Sequence, residues 1–110
     1  MASVNGFTKA LGVVAGQRRR SLVRDLSTDA PTVITGPVLL RSVYVHTAMS
    51  AHAVTFSDNS VSKFLAPASS TAGSNLLSNV AGGMKFEVDM TITPNASSTG
   101  ILVITYDELN

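Results

Sequence analysis

Two histidines, His46 and His52, and two carboxylates two positions apart, Glu87 and Asp89, are the residues whose types could serve a reacting centre. A catalytic histidine needs a nucleophile or an orienting carboxylate beside it, and no Ser or Asp motif accompanies either one. Both therefore read as surface or interface histidines. Glu87 and Asp89 share one face of an alternating stretch, about 6.5–7 Å apart along a strand, a separation that could flank a glycosidic bond or hold Ca²⁺. Lys85 lies on the same face and offers neutralisation, and no third oxygen-bearing cluster adjoins, so the pair reads as a solvated strand face. Gly82-Gly83 and Gly36-Pro37 open no helix, as a phosphate-binding loop requires, and read as turns. Asn95-Ala96-Ser97 matches the glycosylation sequon in form only, since no signal peptide accompanies it. No catalytic residue, metal ligand or cofactor site is assigned, and an enzyme is the least supported class.

The run that stands out is Arg18-Arg19-Arg20, with Arg24 four residues on. Adjacent guanidinium groups can pair with carboxylates across a protein interface or neutralise phosphates of a nucleic acid. No aromatic residue is interleaved, so base stacking is not indicated. We read the run first as a protein-interface clamp, second as a nucleic-acid contact, and third as a solvated linker. Residues 1–24 carry Lys9 and these four arginines and no acid, a charge of +5, whereas 25–110 hold three basic and seven acidic residues, a charge of −4. The chain is thus divided into a basic N-terminal arm, 1–30, and a mildly acidic body, 31–110. Within the arm Phe7, Ala10, Leu11 and Val14 follow helical spacing, but Gly6, Gly12 and Gly16 each weaken a helix by roughly 1 kcal/mol, so an extended or partly helical arm is expected.

The body must be positioned by strands. Thr32–Thr35 is closed by Gly36-Pro37, and Val38–Thr47 follows, with Val43, Val45 and Thr47 alternating with Tyr44 and His46. Ala53–Phe56 and Val61–Leu65 flank Asp58-Asn59, a pair suited to the positive-φ positions of a two-residue hairpin turn. A Ser/Gly/Ala stretch from Pro67 to Asn75 precedes a short or irregular element at Leu76–Val80. The clearest strand is Met84–Thr93, with Met84, Phe86, Val88, Met90 and Ile92 on one face and Lys85, Glu87, Asp89, Thr91 and Thr93 on the other. Pro94–Thr99 turns the chain into a last strand, Gly100–Tyr106, which is apolar or β-branched on both faces and so belongs at the centre of its sheet or under a second layer. Six or seven strands at spacings near ten residues imply an all-β fold: an antiparallel β-sandwich, jelly-roll-like or a flattened barrel.

Composition agrees. At 110 residues one core is affordable and two are not. With 45% apolar and 14% charged residues the chain should fold, and with 5% aromatics and no Trp its core is built from aliphatic side chains, Met and a few Phe. The absence of Cys excludes disulfides, thiol nucleophiles and thiolate metal sites. No stretch approaches the roughly 18 apolar residues that span a bilayer, so no membrane partner is expected. The N-terminus is a poor secretory signal because its basic run follows its apolar one; its lack of acids fits a transit peptide better. So few charges leave sheet edges unprotected, which favours burial of an edge or face in a homo-oligomer.

The stretches Gly36-Pro-Val-Leu-Leu-Arg-Ser-Val-Tyr-Val-His-Thr47, Ala51-His-Ala-Val-Thr-Phe-Ser-Asp58 and Ser98-Thr-Gly-Ile-Leu-Val-Ile-Thr-Tyr106 resemble small β-rich virion proteins of tailed bacteriophages from marine and freshwater bacteria. The shared features are the Gly-Pro opening, a Val-Tyr-Val strand, a short hairpin and a closing Ser-Ser-Thr-Gly turn, and they cover nearly all of the body but not the arm. The resemblance implies a capsid decoration or cement protein, often trimeric, that sits over junctions of the major capsid protein within the virion and is assembled in the host cytoplasm. It further implies that the arm grips the capsid, with Arg18, Arg19, Arg20 and Arg24 opposite acidic capsid residues and Phe7 and Leu11 as apolar contacts. On that reading, removing residues 1–26 should detach the protein and leave its body folded. A tail- or fibre-associated binding module and a minor coat protein whose arm touches the genome are the alternatives.

Overall fold

In the computed structural model, residues 17–28, 30–77 and 83–109 are described. They form nine strands: β1 (Gln17–Asp25), β2 (Thr32–Thr35), β3 (Val38–Thr47), β4 (Val54–Asp58), β5 (Val61–Ala66), β6 (Asn75–Leu77), β7 (Met84–Phe86), β8 (Asp89–Thr93) and β9 (Ile101–Leu109). All pairings are antiparallel and fall into two sheets packed as a sandwich. The first sheet runs β1-β9-β3-β6, with β7 also pairing β3, and the second runs β2-β8-β4-β5. If β7 and β8 are counted as two halves of one bent strand, this is the connectivity of the two-sheet jelly roll.

The core lies between the sheets. Val38, Leu40, Val43, Val45, Leu102 and Ile104 face it from the first sheet, and Val54, Phe56, Met90 and Ile92 from the second; all ten are fully buried. Phe56 meets Phe64 edge to face at 5.4 Å between ring centroids, an arrangement the ring quadrupoles favour. β9 sits between β1 and β3, the central place its two apolar faces anticipate.

Three sequence expectations need correction. First, 17–25 is a full strand of the first sheet, registered against β9 from Gln17↔Leu109 to Asp25↔Ile101, and not part of a separate arm. Leu22 packs on the core, Leu26 is fully buried, and Arg24 is 6% exposed. A cut after residue 26 would strip a strand and part of the core, so a cut after residue 16 is the one that spares the sandwich. The expected helical face through Phe7 and Leu11 lies outside the described residues, as does the end of the element expected at Leu76–Val80.

Second, Met84–Thr93 is two strands in different sheets, bent at Glu87-Val88. Phe86 and Met90 are both buried, whereas Val88 between them is 51% exposed. The inward phase is the same before and after the bend, so simple alternation hides it. The chain segment opposite bends with it. Thr32↔Ile92 through Thr35↔Asp89 and Val38↔Phe86 through Leu40↔Met84 follow one unbroken register, joined at the corner by the Gly36 N–H donating to the Val88 carbonyl at 2.8 Å. One antiparallel ribbon thus folds over from one sheet into the other.

Third, the β4–β5 turn sits one residue later than Asp58-Asn59. Asn59 and Ser60 hold the left-handed conformations, with φ of 49° and 68°, and Asp58 ends β4 with its side chain buried.

Gly36 is required by contact. A Cβ there would lie 2.9 Å from the Val88 carbonyl oxygen, 3.0 Å from its carbon and 3.2 Å from the Phe86 oxygen, all backbone atoms of the opposing half of the ribbon. Gly36→Ala should therefore destabilise by roughly 1–3 kcal/mol through overpacking, read as a lowered urea midpoint at unchanged slope. A midpoint equal to wild type would show that the corner has slack.

Candidate functional site

The arginine run is placed by strand alternation on β1. Arg19 shares the outer face of the first sheet with Ser21, Val23 and Asp25, while Leu22 and Arg24 point toward the core. The sequence grouped the four arginines as one clamp; the structure gives them four different environments.

Arg19 donates from Nε to Asp107 Oδ1 and from a terminal nitrogen to Oδ2 at 3.4 Å. Arg41 Nε approaches the same carboxylate at 3.8 Å from the other side. One acid on β9, its side chain 2% exposed, is thus flanked by two guanidinium groups. The hydrogen bond with Asp107, and then its charge, raise the pKa of Arg19 above its ordinary value. Arg20 pairs with Glu108 at 3.1 Å in a more exposed position. Arg24 is turned under the sheet edge, where its guanidinium donates to the carbonyls of Asp25, Thr28 (2.9 Å) and Ala30 (2.5 Å) and so holds the turn that leads into β2. Arg18 is exposed and makes no ion pair or hydrogen bond with the described residues.

Beyond Arg19 the outer face becomes uncharged. The registers place Ser21, Thr105 and Ser42 side by side, then Val23, Val103 and Tyr44 in the next row. Val23 is 66% exposed and Tyr44 38%. Asp25 closes the far end, where its Oδ1 accepts from the Ser27 N–H at 3.0 Å and from the Ser27 hydroxyl at 2.6 Å. Those bonds hold its carboxyl below the ordinary Asp pKa. From Arg19 to Asp25 the band is about 20 Å long at the usual rise per residue. A surface of this kind, apolar and hydroxyl-bearing with charges at its ends, suits contact with another protein surface.

The groups that first suggested catalysis are held in structural contacts. His46 Nδ1 lies 3.0 Å from the Thr47 hydroxyl, beside a β-bulge. His52 Nδ1 lies 3.1 Å from Ser50 Oγ, which also accepts the Thr99 N–H and ties two loops together. Glu87 and Asp89 straddle the ribbon's corner. Glu87 is near Lys85 at 3.8 Å, and Asp89 Oδ1 accepts from the Asn59 N–H and the Thr91 hydroxyl. Asn95 uses its side-chain oxygen to accept the Ser97 N–H at 2.9 Å, so the sequon-like triplet is a turn. Among the described residues no group of three or more metal-ligating side chains is assembled.

One heavily engaged acid, Asp58, is not singled out by its place in the sequence. Asp58 accepts the backbone N–H groups of Glu87 (2.8 Å), Val88 (2.9 Å) and Asp89 (3.3 Å), the donors freed where the ribbon leaves one sheet for the other. The bonds from Glu87 and Val88 lower its pKa most, against the opposing effect of burial. A signal existed in the sequence: an acid closing a strand before a two-residue turn. Its target is thirty residues away and is not visible there.

No protein-family model, curated protein or solved structure matches the chain.

Two outcomes test these roles. Because the folded carboxyl of Asp58 titrates below its unfolded value of about 4, its stabilisation is complete above that pH and is lost as pH falls through the lower folded value. Wild type should therefore lose thermal stability progressively below about pH 5. Asp58→Asn should melt several degrees lower at pH 7 and show a flatter acid limb, with Asp25 supplying the remainder of the slope; an unchanged melt at pH 7 would remove the carboxylate from its role at the corner. Arg19→Ala should lower the melting temperature more than Arg20→Ala, since Asp107 is buried and Glu108 is 25% exposed. The reverse order would contradict the placement.

Proposed function

We propose that this protein is a structural component of a tailed-bacteriophage head, a capsid decoration or cement protein that lies on the major capsid protein through the outer face of its first sheet. The observation that carries the reading is the uncharged band of Val23, Val103 and Tyr44 with its Ser/Thr neighbours, bounded by Arg19 and Arg41 at one end and Asp25 at the other. Exposed valine and tyrosine side by side on a rigid sheet form the kind of centre a protein interface buries, with charges left for the rim. Two further points support it. The connectivity is that of the jelly roll, a fold also used in viral capsids, although a fold hosts many functions and this support is analogical. The resemblance to small phage virion proteins that the residues of 36–106 suggest is what directs the proposal to a phage head.

The charges modify the arm's part in the reading. Arg19 and Arg20 are paired with carboxylates of their own chain and Arg24 with its own carbonyls, so the electrostatic grip falls to Arg18 and to the segment before β1, which carries Lys9.

The test mixes the purified protein with expanded phage heads that lack it. Saturable binding at a fixed number of copies per major capsid subunit is expected. A Val23→Asp/Tyr44→Asp variant should lose about tenfold or more in affinity while melting as wild type, and the protein lacking residues 1–16 should bind more weakly but still fold. If the band variant binds as tightly as wild type, the sheet face is not the contact; if binding also falls steeply with salt and needs packaged DNA, the chain is a genome-touching coat protein instead.

A further inference from the structure

β1 is the end strand of its sheet, with β9 on one side and no described strand on the other. Its pairing with β9 runs without a bulge over all nine residues. Because the Leu26 N–H points to the Gly100 carbonyl at the end of that ladder, strand alternation directs the even-numbered backbone groups toward β9. Those of Arg19, Ser21, Val23 and Asp25 face outward. Edge strands are usually blunted by a bulge, a proline or an inward-pointing charge; the stretch from Ser21 to Asp25 has neither bulge nor proline, and its one inward charge, Arg24, is engaged by carbonyls of its own chain.

We infer that β1 is a homodimer interface, pairing antiparallel with β1 of a second copy about a two-fold axis at Leu22. The edge is complementary to itself in that register. Arg19 stands opposite the second copy's Asp25, and Ser21 opposite its Val23, as hydrogen-bonded pairs on the outer face; Leu22 meets its own symmetry mate as a non-hydrogen-bonded pair on the inner face. The side chains have capacity for this. Both hydrogen bonds between Asp25 and Ser27 end on Oδ1, and Arg19 reaches Asp107 through Nε and Nη2, so Oδ2 and Nη1 are available for each other. Arg20 falls opposite Arg24, which is tolerable because Arg24 is turned under onto three carbonyls and Arg20 is paired with Glu108. The alternative register, with Ser21 on the axis, leaves Arg19 opposite Val23 and separates the opposite charges. An unrelated acidic strand could satisfy Arg19; a second copy supplies both the Asp25 and the Leu22 partners at the spacing β1 itself fixes.

The inference goes beyond the capsid reading and does not depend on it. Its consequence for a docking face is direct: the apolar rows of two copies would join into one band across the axis, doubling the surface presented to any partner.

The full chain has no cysteine, so single cysteines report geometry cleanly. Non-hydrogen-bonded antiparallel pairs hold Cα atoms about 4.5 Å apart, within disulfide range. Leu22→Cys should convert to a covalent dimer under mild oxidation, and Ser21→Cys should not. Sedimentation of wild type should show a concentration-dependent dimer. Ser21→Pro, which removes an outward N–H and leaves the β9 pairing intact, should remain monomeric with an unchanged circular dichroism spectrum. A monomeric or trimeric wild type overturns the inference, as does cross-linking through Ser21→Cys in place of Leu22→Cys. All these measurements use the protein alone, so they succeed or fail separately from head binding.

Discussion

Where a strand passes from one sheet to another, its backbone donors lose their ladder partners, and buried N–H groups without partners cost too much to be left alone. Asp58 resolves this at Glu87, Val88 and Asp89 with a single carboxylate at the tip of a hairpin in the second sheet. The close approach at Gly36, where the opposing backbone leaves no room for a side chain, completes the corner. Phe86 can then face the core from one sheet and Met90 and Ile92 from the other. The positions of β3 and β9, and so of the outer face they share with β1, follow from that corner.

Arginine serves three purposes here that composition alone would merge. Arg24 substitutes for absent secondary structure by collecting the carbonyls of a turn; Arg19 and Arg41 flank the buried carboxylate of Asp107 on its two sides. Arg18 is left to the solvent side. A run of like charges that would repel in an extended leader is thus separated by the pleat, which sends neighbours to opposite faces. The acids that receive them, Asp107 and Glu108, come from the far end of the chain, so the charge asymmetry between N-terminal segment and body is closed locally across β1 and β9. Burial beside Glu108 also raises the pKa of Tyr106.

Much of the sandwich was legible in the sequence because short strands with clear punctuation carry their own limits. Thr32–Thr35 and Val38–Thr47 coincide with β2 and β3, and the two apolar faces of the last strand identified it as central. The strand at 17–25 was obscured because its inward positions are Arg18, Arg20, Leu22 and Arg24, so charge hid a period of two that only Leu22 and Leu26 mark. The corner was hidden for another reason: a bend that preserves phase leaves no trace in hydropathy. Of the residues expected to form an interface, Arg19 borders the outer band and Arg18 is exposed, Arg20 and Arg24 are engaged within the fold, and Phe7 and Leu11 fall outside the described residues. Val23 and Tyr44, which give the band its apolar character, are of residue types the core also uses, as at Val43 and Tyr106. Alternation sets Tyr44 on the face opposite Val43 and Val45, but only the register of β1 shows that Val23 faces out.

The unbroken register of 32–40 against 84–92 has a mechanical meaning. Both segments cross the corner, so neither can slip past the other in one sheet alone: a shift of one residue between 38–40 and 84–86 must be matched between 32–35 and 89–92, and the two sheets hold each other's register through this ribbon.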